Sequence, residues 1–112
     1  MASQQTLNVL VVDPEMESQQ VLKEILTGQG YGVVGLSEPQ RALDELRAHR
    51  FQLVILDVSP GTGGGEALAA IRAFDRDVCV IATSSVASVE LAVATMKYQA
   101  FHYLQKPVET DE

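Results

Sequence analysis

The residues with chemistry to offer lie far apart in the chain. In "LVILDVSPGTGGGEALAAI", Leu53 to Ile71, an apolar run ends on Asp57, and Gly61, Gly63, Gly64 and Gly65 follow. "LNVLVV" leads in the same way to Asp13, "VCVIA" to Thr83 and Ser84, and "YLQ" to Lys106. The spacings from Asp13 to Asp57, Asp57 to Ser84 and Ser84 to Lys106 are 44, 27 and 22 residues. A carboxylate such as Asp57 can attack phosphorus and become an acyl phosphate. That transfer asks mainly for in-line positioning and neutralised charge, a role for Mg²⁺ and for a cation such as Lys106. Mg²⁺ is typically held by one or two carboxylates with phosphate oxygens and water. A hydroxyl from Ser84 or Thr83 would hydrogen-bond the new phosphoryl oxygens.

The glycine run invites a second reading, a cradle for the phosphate of a nucleotide. A Walker loop needs G-x-x-x-x-G-K-[ST], and here Gly65 is followed by Glu66 and Ala67. A dinucleotide fingerprint puts its third glycine where Glu66 stands after Gly61 and Gly63. Carboxylates at Asp57 and Glu66 would repel a pyrophosphate. The loop reads as a flexible connection that permits positive φ.

The elements that must position these residues alternate regularly. Leu7–Val12, Tyr31–Leu36, Leu53–Leu56, Val78–Ala82 and Tyr103–Gln105 read as strands. Between them, Val21, Leu22, Ile25 and Leu26 recur at helical spacing, as do Ala42, Leu43 and Leu46, then Ala67, Leu68 and Ile71. Val86, Val89, Val93 and Met96 make the apolar stripe of a fourth helix, expected to face the core. Asp13-Pro14 reads as an N-cap with proline at the first helical position, and Ser37, Pro39 and Gln40 as a cap, an early proline and a capping-box partner. Apolar strands bounded by helices predict an α/β domain with a mostly parallel sheet covered on both faces. In such sheets ligand chemistry sits at the carboxyl ends of the strands, where Asp13, Asp57, Thr83-Ser84 and Lys106 all fall.

A chain of 112 residues makes one domain with one sizeable core. Its net charge of −7 comes without a cluster of Lys and Arg, so direct binding to nucleic acid is not expected. No apolar run approaches the roughly 20 residues of a membrane span, and the N-terminus lacks a secretory pattern. The single cysteine, Cys79, suits a reduced, cytoplasmic setting.

From "LNVLVVDPE" through "LVILDVSPGTGGGEAL" and "VIATSS" to "AFHYLQKPV", the chain resembles the receiver domain of two-component response regulators. Its C-terminal part is most similar to receivers of nitrogen-regulator-type transcription activators. The resemblance implies a flavodoxin-like, doubly wound sheet of strand order 2-1-3-4-5. It implies a phosphoacceptor module in which Asp57 takes a phosphoryl group from a histidine kinase or phosphotransfer protein and the surface of the fourth helix and fifth strand changes partners. Such a domain at most catalyses its own phosphorylation and dephosphorylation. By the same resemblance Lys106 contacts the phosphate and Ser84 is the switch hydroxyl, with Thr83 in its place if the loop is shifted. Tyr103 is the aromatic that follows that hydroxyl, and Gly65 the glycine after the phosphorylation loop. Mg²⁺ would be held by Asp13, Asp57 and the carbonyl of Ser59.

The chain departs from the family at Pro14, where a second acid normally binds the metal. Glu15, one residue on, is expected to point elsewhere around the first helical turn. The alternative is therefore a pseudo-receiver, a phosphorylation-independent interaction domain. A third reading, a Mg²⁺ phosphohydrolase, would need D-x-D after the first strand, where this chain has Asp13-Pro14-Glu15. Gln99 stands where the family usually has glycine. No fifth helix follows "LQKPVETDE", so residues 1–112 are expected to be a receiver excised from a longer chain, or one that completes its core with a partner or as a homodimer.

Overall fold

The computed structural model describes residues 7–86 and 88–106. Five parallel strands, β1 (Asn8–Val12), β2 (Gly32–Leu36), β3 (Leu53–Asp57), β4 (Cys79–Ser84) and β5 (His102–Gln105), form one sheet of order β2-β1-β3-β4-β5. The α-helices are α1 (Met16–Gly28), α2 (Ala42–Ala48), α3 (Gly64–Phe74) and α4 (Val89–Lys97) among the described residues. Strand order and fold class are those the resemblance implied, and strand limits differ from the sequence reading by one or two residues. The early stop expected after "LQKPVETDE" concerns residues 107–112, which lie outside the described residues.

Alternation along the strands divides the core in two. Val9, Val11 and Ile55 face α1 and pack around Leu22. Leu10, Val12, Val54, Leu56 and Val80 face the other way and pack with Leu68 and Ile71 of α3. Burying a Leu or Ile side chain fully is worth roughly 1.5–3 kcal/mol, so this second layer carries most of the fold. The alternation also decides what happens at the carboxyl edge. Carried on from Val11, Ile55 and Ile81, it puts Asp13, Asp57 and Thr83 on the α1 side, with Asp57 and Thr83 paired in register. Ser84 falls on the other side with Leu56 and Ala82.

Three local expectations change. Helix α1 starts at Met16 with Glu15 as its extended N-cap residue, not at Pro14. Asp13 Oδ1 accepts the Glu15 N–H at 2.9 Å, a tight turn that spends the cap-like carboxylate before the helix begins. Ser37 does not cap α2. Pro39–Arg41 forms a 3₁₀ turn after Glu38, and Pro39 lacks one of the N–H donors that a cap at Ser37 would meet. The Ser37 hydroxyl lies instead 3.1 Å from Met16 Sδ.

The largest change is in α4. Its apolar stripe faces out: Val89, Val93 and Met96 are 80%, 52% and 51% exposed, and Val86 precedes the helix. The sheet side is held by buried Thr95 and partly buried Leu91. Two faces of this helix carry apolar residues at helical spacing, and periodicity alone does not say which one the sheet will take.

Candidate functional site

The site is a cage of charge at the carboxyl edge. Asp13 and Asp57 are 1% and 3% exposed at the ends of neighbouring strands. Lys106, just past β5, returns across the edge with its side chain 7% exposed. Its Nζ lies 2.9 Å from Asp13 Oδ2, 3.1 Å from Asp13 Oδ1 and 3.2 Å from Asp57 Oδ2. It also lies 3.2 Å from Glu15 Oε1. Asp57 Oδ1 accepts the Ser59 N–H at 2.8 Å, which fixes the carboxylate so that Oδ2 faces the ammonium.

Electrostatics follow from this crowding. Burial pushes the Asp13 carboxyl above its ordinary value, and the hydrogen bond and charge of Lys106 only partly reverse that. Burial works to lower the Lys106 ammonium, but Asp13 first and then Asp57 outweigh it, so its value rises. The Ser18 hydroxyl and then Lys106 lower Glu15.

The hydroxyls divide by sheet face. Thr83 Oγ1 is buried beside Asp57 and has no hydrogen-bond partner. Ser84 Oγ is engaged in its own loop, accepting the Val86 N–H at 3.0 Å and lying 3.2 Å from the Val86 carbonyl. Tyr103 donates its hydroxyl to the same Val86 carbonyl at 3.2 Å. The Ser59 hydroxyl, 3.5 Å from Ser84 Oγ and accepting the Ser85 N–H at 3.1 Å, ties the loops after β3 and β4 together. Asp13, Asp57 and Lys106 thus come together as the sequence predicts, and Ser84 stands next to them on the opposite sheet face.

The glycine loop is resolved one position earlier than expected. At Gly64 an added Cβ would lie 1.8 Å from the Asp57 carbonyl oxygen, whereas at Gly65 nothing lies within 4 Å. Helix α3 therefore begins directly on the backbone of Asp57, and Gly64, not Gly65, is the residue that cannot carry a side chain. Gly61 and Gly63 turn the loop at φ 86° and 87°. A run of glycines shows in the sequence; which one touches the backbone does not.

Glu15, expected to point elsewhere around a first helical turn, instead reaches the cage. A helix starting at Pro14 would have turned its side chain away, but the Asp13-Pro14 turn leaves it at the N-cap, reaching back to Lys106. A cavity of about 460 Å³ lined by Glu15, Ser18, Leu22, Ser85 and Lys106 opens beside the cage. A larger one, about 660 Å³, lies at the opposite sheet edge by Phe51 and Phe74, away from Asp13 and Asp57.

The donor set suits a divalent cation in part. Asp13 Oδ2 is buried and makes no hydrogen bond, although Nζ is only 2.9 Å away, and Asp57 supplies a second buried carboxylate. The Ser59 carbonyl already accepts from the Thr62 hydroxyl at 2.7 Å and the Thr62 N–H at 3.2 Å. Among the described residues no three acidic, histidine or cysteine side chains stand at metal-cluster spacing. Among them, too, no helix is long and apolar enough to cross a membrane.

A doubly wound parallel sheet with two acids and a lysine converging at its carboxyl edge defines a flavodoxin-like domain with a phosphoryl-handling site. The family profile of the response regulator receiver domain matches residues 9–112. The chain belongs to that family, the phosphoacceptor signalling modules of two-component systems. It is 34% identical over 106 residues to the transcriptional regulatory protein ZraR of Escherichia coli K12, covering 94% of this chain and 24% of that protein. It is 30% identical over 107 residues to the nitrogen assimilation regulatory protein NtrX of Azorhizobium caulinodans, covering 93% of this chain and 24% of that one. The chain spans about a quarter of the length of these curated relatives. A crystal structure of a Burkholderia pseudomallei response regulator with a phosphorylated aspartic acid, calcium ion and citrate superposes with a TM-score of 0.82. The two are 26% identical, over 92% of this chain and 61% of that one.

Proposed function

We propose that Asp57 is the phosphoacceptor, and the observation that carries the reading is its carboxylate, buried and fixed by Ser59 with Oδ2 facing Lys106. Oδ2 attacks the phosphorus of a phosphohistidine on a histidine kinase or phosphotransfer protein. The P–N bond breaks as the acyl phosphate P–O bond forms, and the electron pair leaves on the imidazole nitrogen, which takes up a proton. The Lys106 ammonium, kept charged by its acid neighbours, then meets the phosphoryl oxygens. Asp13 and Asp57 would hold Mg²⁺, which would supply further neutralisation of the phosphoryl charge.

Thr83 is the better placed switch hydroxyl. It shares a face and a register position with Asp57 and its Oγ1 is free to accept a new partner, whereas Ser84 Oγ is occupied by Val86. Drawing the β4 end toward a phosphorylated Asp57 would pull on Val86 and so on the Tyr103 hydroxyl, which is how the site reaches α4 and β5. The exposed α4 stripe is then the surface that changes partners, an output domain, a separate protein or a second copy. Residues 1–112 act as the receiver unit of a longer, cytoplasmic regulator, in keeping with the length of the relatives. The pseudo-receiver alternative rests on Pro14 alone, and the comparisons give it no support.

The test is acetyl-phosphate labelling of wild type, Asp57→Asn, Thr83→Ala and Ser84→Ala, read as a hydroxylamine-sensitive aspartyl phosphate. Label is expected on wild type, none on Asp57→Asn, and a larger loss of labelling rate for Thr83→Ala than for Ser84→Ala. Undiminished label on Asp57→Asn would remove Asp57 from the role.

A further inference from the structure

We infer that Glu15 takes the place of the acid missing at Pro14 and holds the divalent cation together with Asp13 and Asp57. The inference rests on the phosphoacceptor reading of Asp57 and adds a residue to it.

The geometry begins with the proline. Pro14 has no side-chain oxygen, but it shapes the turn in which Asp13 Oδ1 accepts the Glu15 N–H at 2.9 Å. That turn delays α1 to Met16 and leaves Glu15 with extended backbone, φ −86° and ψ 107°. From there the longer glutamate side chain reaches back over the strand ends. The Ser18 hydroxyl donates to Oε1 at 2.9 Å and fixes the carboxylate, and Lys106 Nζ lies 3.2 Å from the same oxygen. One ammonium therefore touches three carboxylates, those of Asp13, Glu15 and Asp57. Counted as charges the cage is short of two positives, which one divalent ion supplies.

A second observation points the same way. Asp13 Oδ2 is buried inside the cage and makes no hydrogen bond, with the Lys106 ammonium 2.9 Å away as an ionic neighbour. The Ser59 carbonyl, a donor the family resemblance assigned to the metal, is already satisfied twice by Thr62. The site thus has two buried acids, an occupied carbonyl and a third acid displaced by one residue. Lys106 now stands among these acids at the distances that keep them apart, so ammonium and metal ion compete for the same carboxylates.

The test is the affinity for Mn²⁺, used as the probe for Mg²⁺ and counted by electron paramagnetic resonance of the free ion, with no phosphodonor present. Glu15→Gln should bind about tenfold more weakly than wild type, the loss typical of removing a group that supports a metal site. Pro14→Asp in the Glu15→Gln background should restore the affinity, because it returns a carboxylate one residue earlier. Lys106→Met should tighten binding by removing the competing ammonium. Affinity of Glu15→Gln within about twofold of wild type, with Asp57→Asn clearly weakened, would overturn the inference and leave the phosphoacceptor site standing. If Asp57→Asn binds as wild type does, the site reading fails and this inference with it. Thermal melts of each variant, unchanged for Glu15→Gln, separate a metal effect from unfolding.

Discussion

At the carboxyl edge of the sheet Asp13, Asp57 and Lys106 carry charge and are buried, while on α4, the helix between β4 and β5, Val89, Val93 and Met96 are apolar and exposed. Each region departs from the usual sorting of polar and apolar residues, and in opposite directions. Buried charge costs stability unless it is paired, so the cage is kept for chemistry rather than for folding. The exposed stripe forgoes burial that α3 obtains with Leu68 and Ile71, so α4 sits on the sheet with fewer ties. The two regions meet at Val86, whose carbonyl receives the Tyr103 hydroxyl and whose N–H is held by Ser84. These two hydrogen bonds join the end of β4 to Tyr103 of β5.

The largest effect that would break this contrast is at Lys106. Lys106→Ala leaves Asp13 and Asp57 buried without their cation and should destabilise the domain by about 3–5 kcal/mol at neutral pH, measured by urea unfolding in chelator. Because the folded-state value of Lys106 is raised, its contribution is complete below the ordinary 10.5 and is lost as pH rises through the higher folded value. Wild type and variant should therefore converge only at strongly alkaline pH. Equal stability at neutral pH would mean that the acids are not paired as their distances indicate.

Asp13→Asn should act the other way and more weakly. A carboxyl raised by burial binds its proton more tightly in the folded state, so ionising it at neutral pH costs stability. The variant removes that cost and should melt above wild type at pH 7 in chelator. Stability of wild type rises as pH falls through the raised folded value, and below the ordinary 3.8 the difference between the two should vanish. A lower melting temperature for Asp13→Asn at pH 7 would show that pairing with Lys106 outweighs burial.

Smaller effects belong to α4. Gln99, in the turn that follows it, has φ 62°, which costs a side-chain-bearing residue roughly 1–2 kcal/mol. Gln99→Gly should gain up to about 1 kcal/mol, since the freer unfolded chain offsets part of the relief. Val93→Ser should change stability by less than about 0.5 kcal/mol, as exposed positions do. A loss of several kcal/mol there, or one that depends on protein concentration in sedimentation, would show the stripe to be buried in an assembly.

Much of this molecule is written locally. Alternating apolar runs and helical spacings are short-range patterns, so the sequence determined the α/β class, five strands and the carboxyl-edge positions of Asp13, Asp57 and Lys106. Order came only with the resemblance and register only with the structure, because strand pairing joins segments tens of residues apart. What the tertiary structure decided turns on a single residue each time. Thr83 and Ser84 differ by one position, and a strand turns successive side chains to opposite faces, so only the register with Asp57 separates them. Gly64 and Gly65 are alike until α3 is set down on the Asp57 carbonyl. Glu15 reaches the cage only because α1 begins after it. The α4 stripe was legible as a stripe, but which side of a helix meets the sheet is fixed by the packing of the whole, and here Leu91 and Thr95 met it instead of Val89, Val93 and Met96.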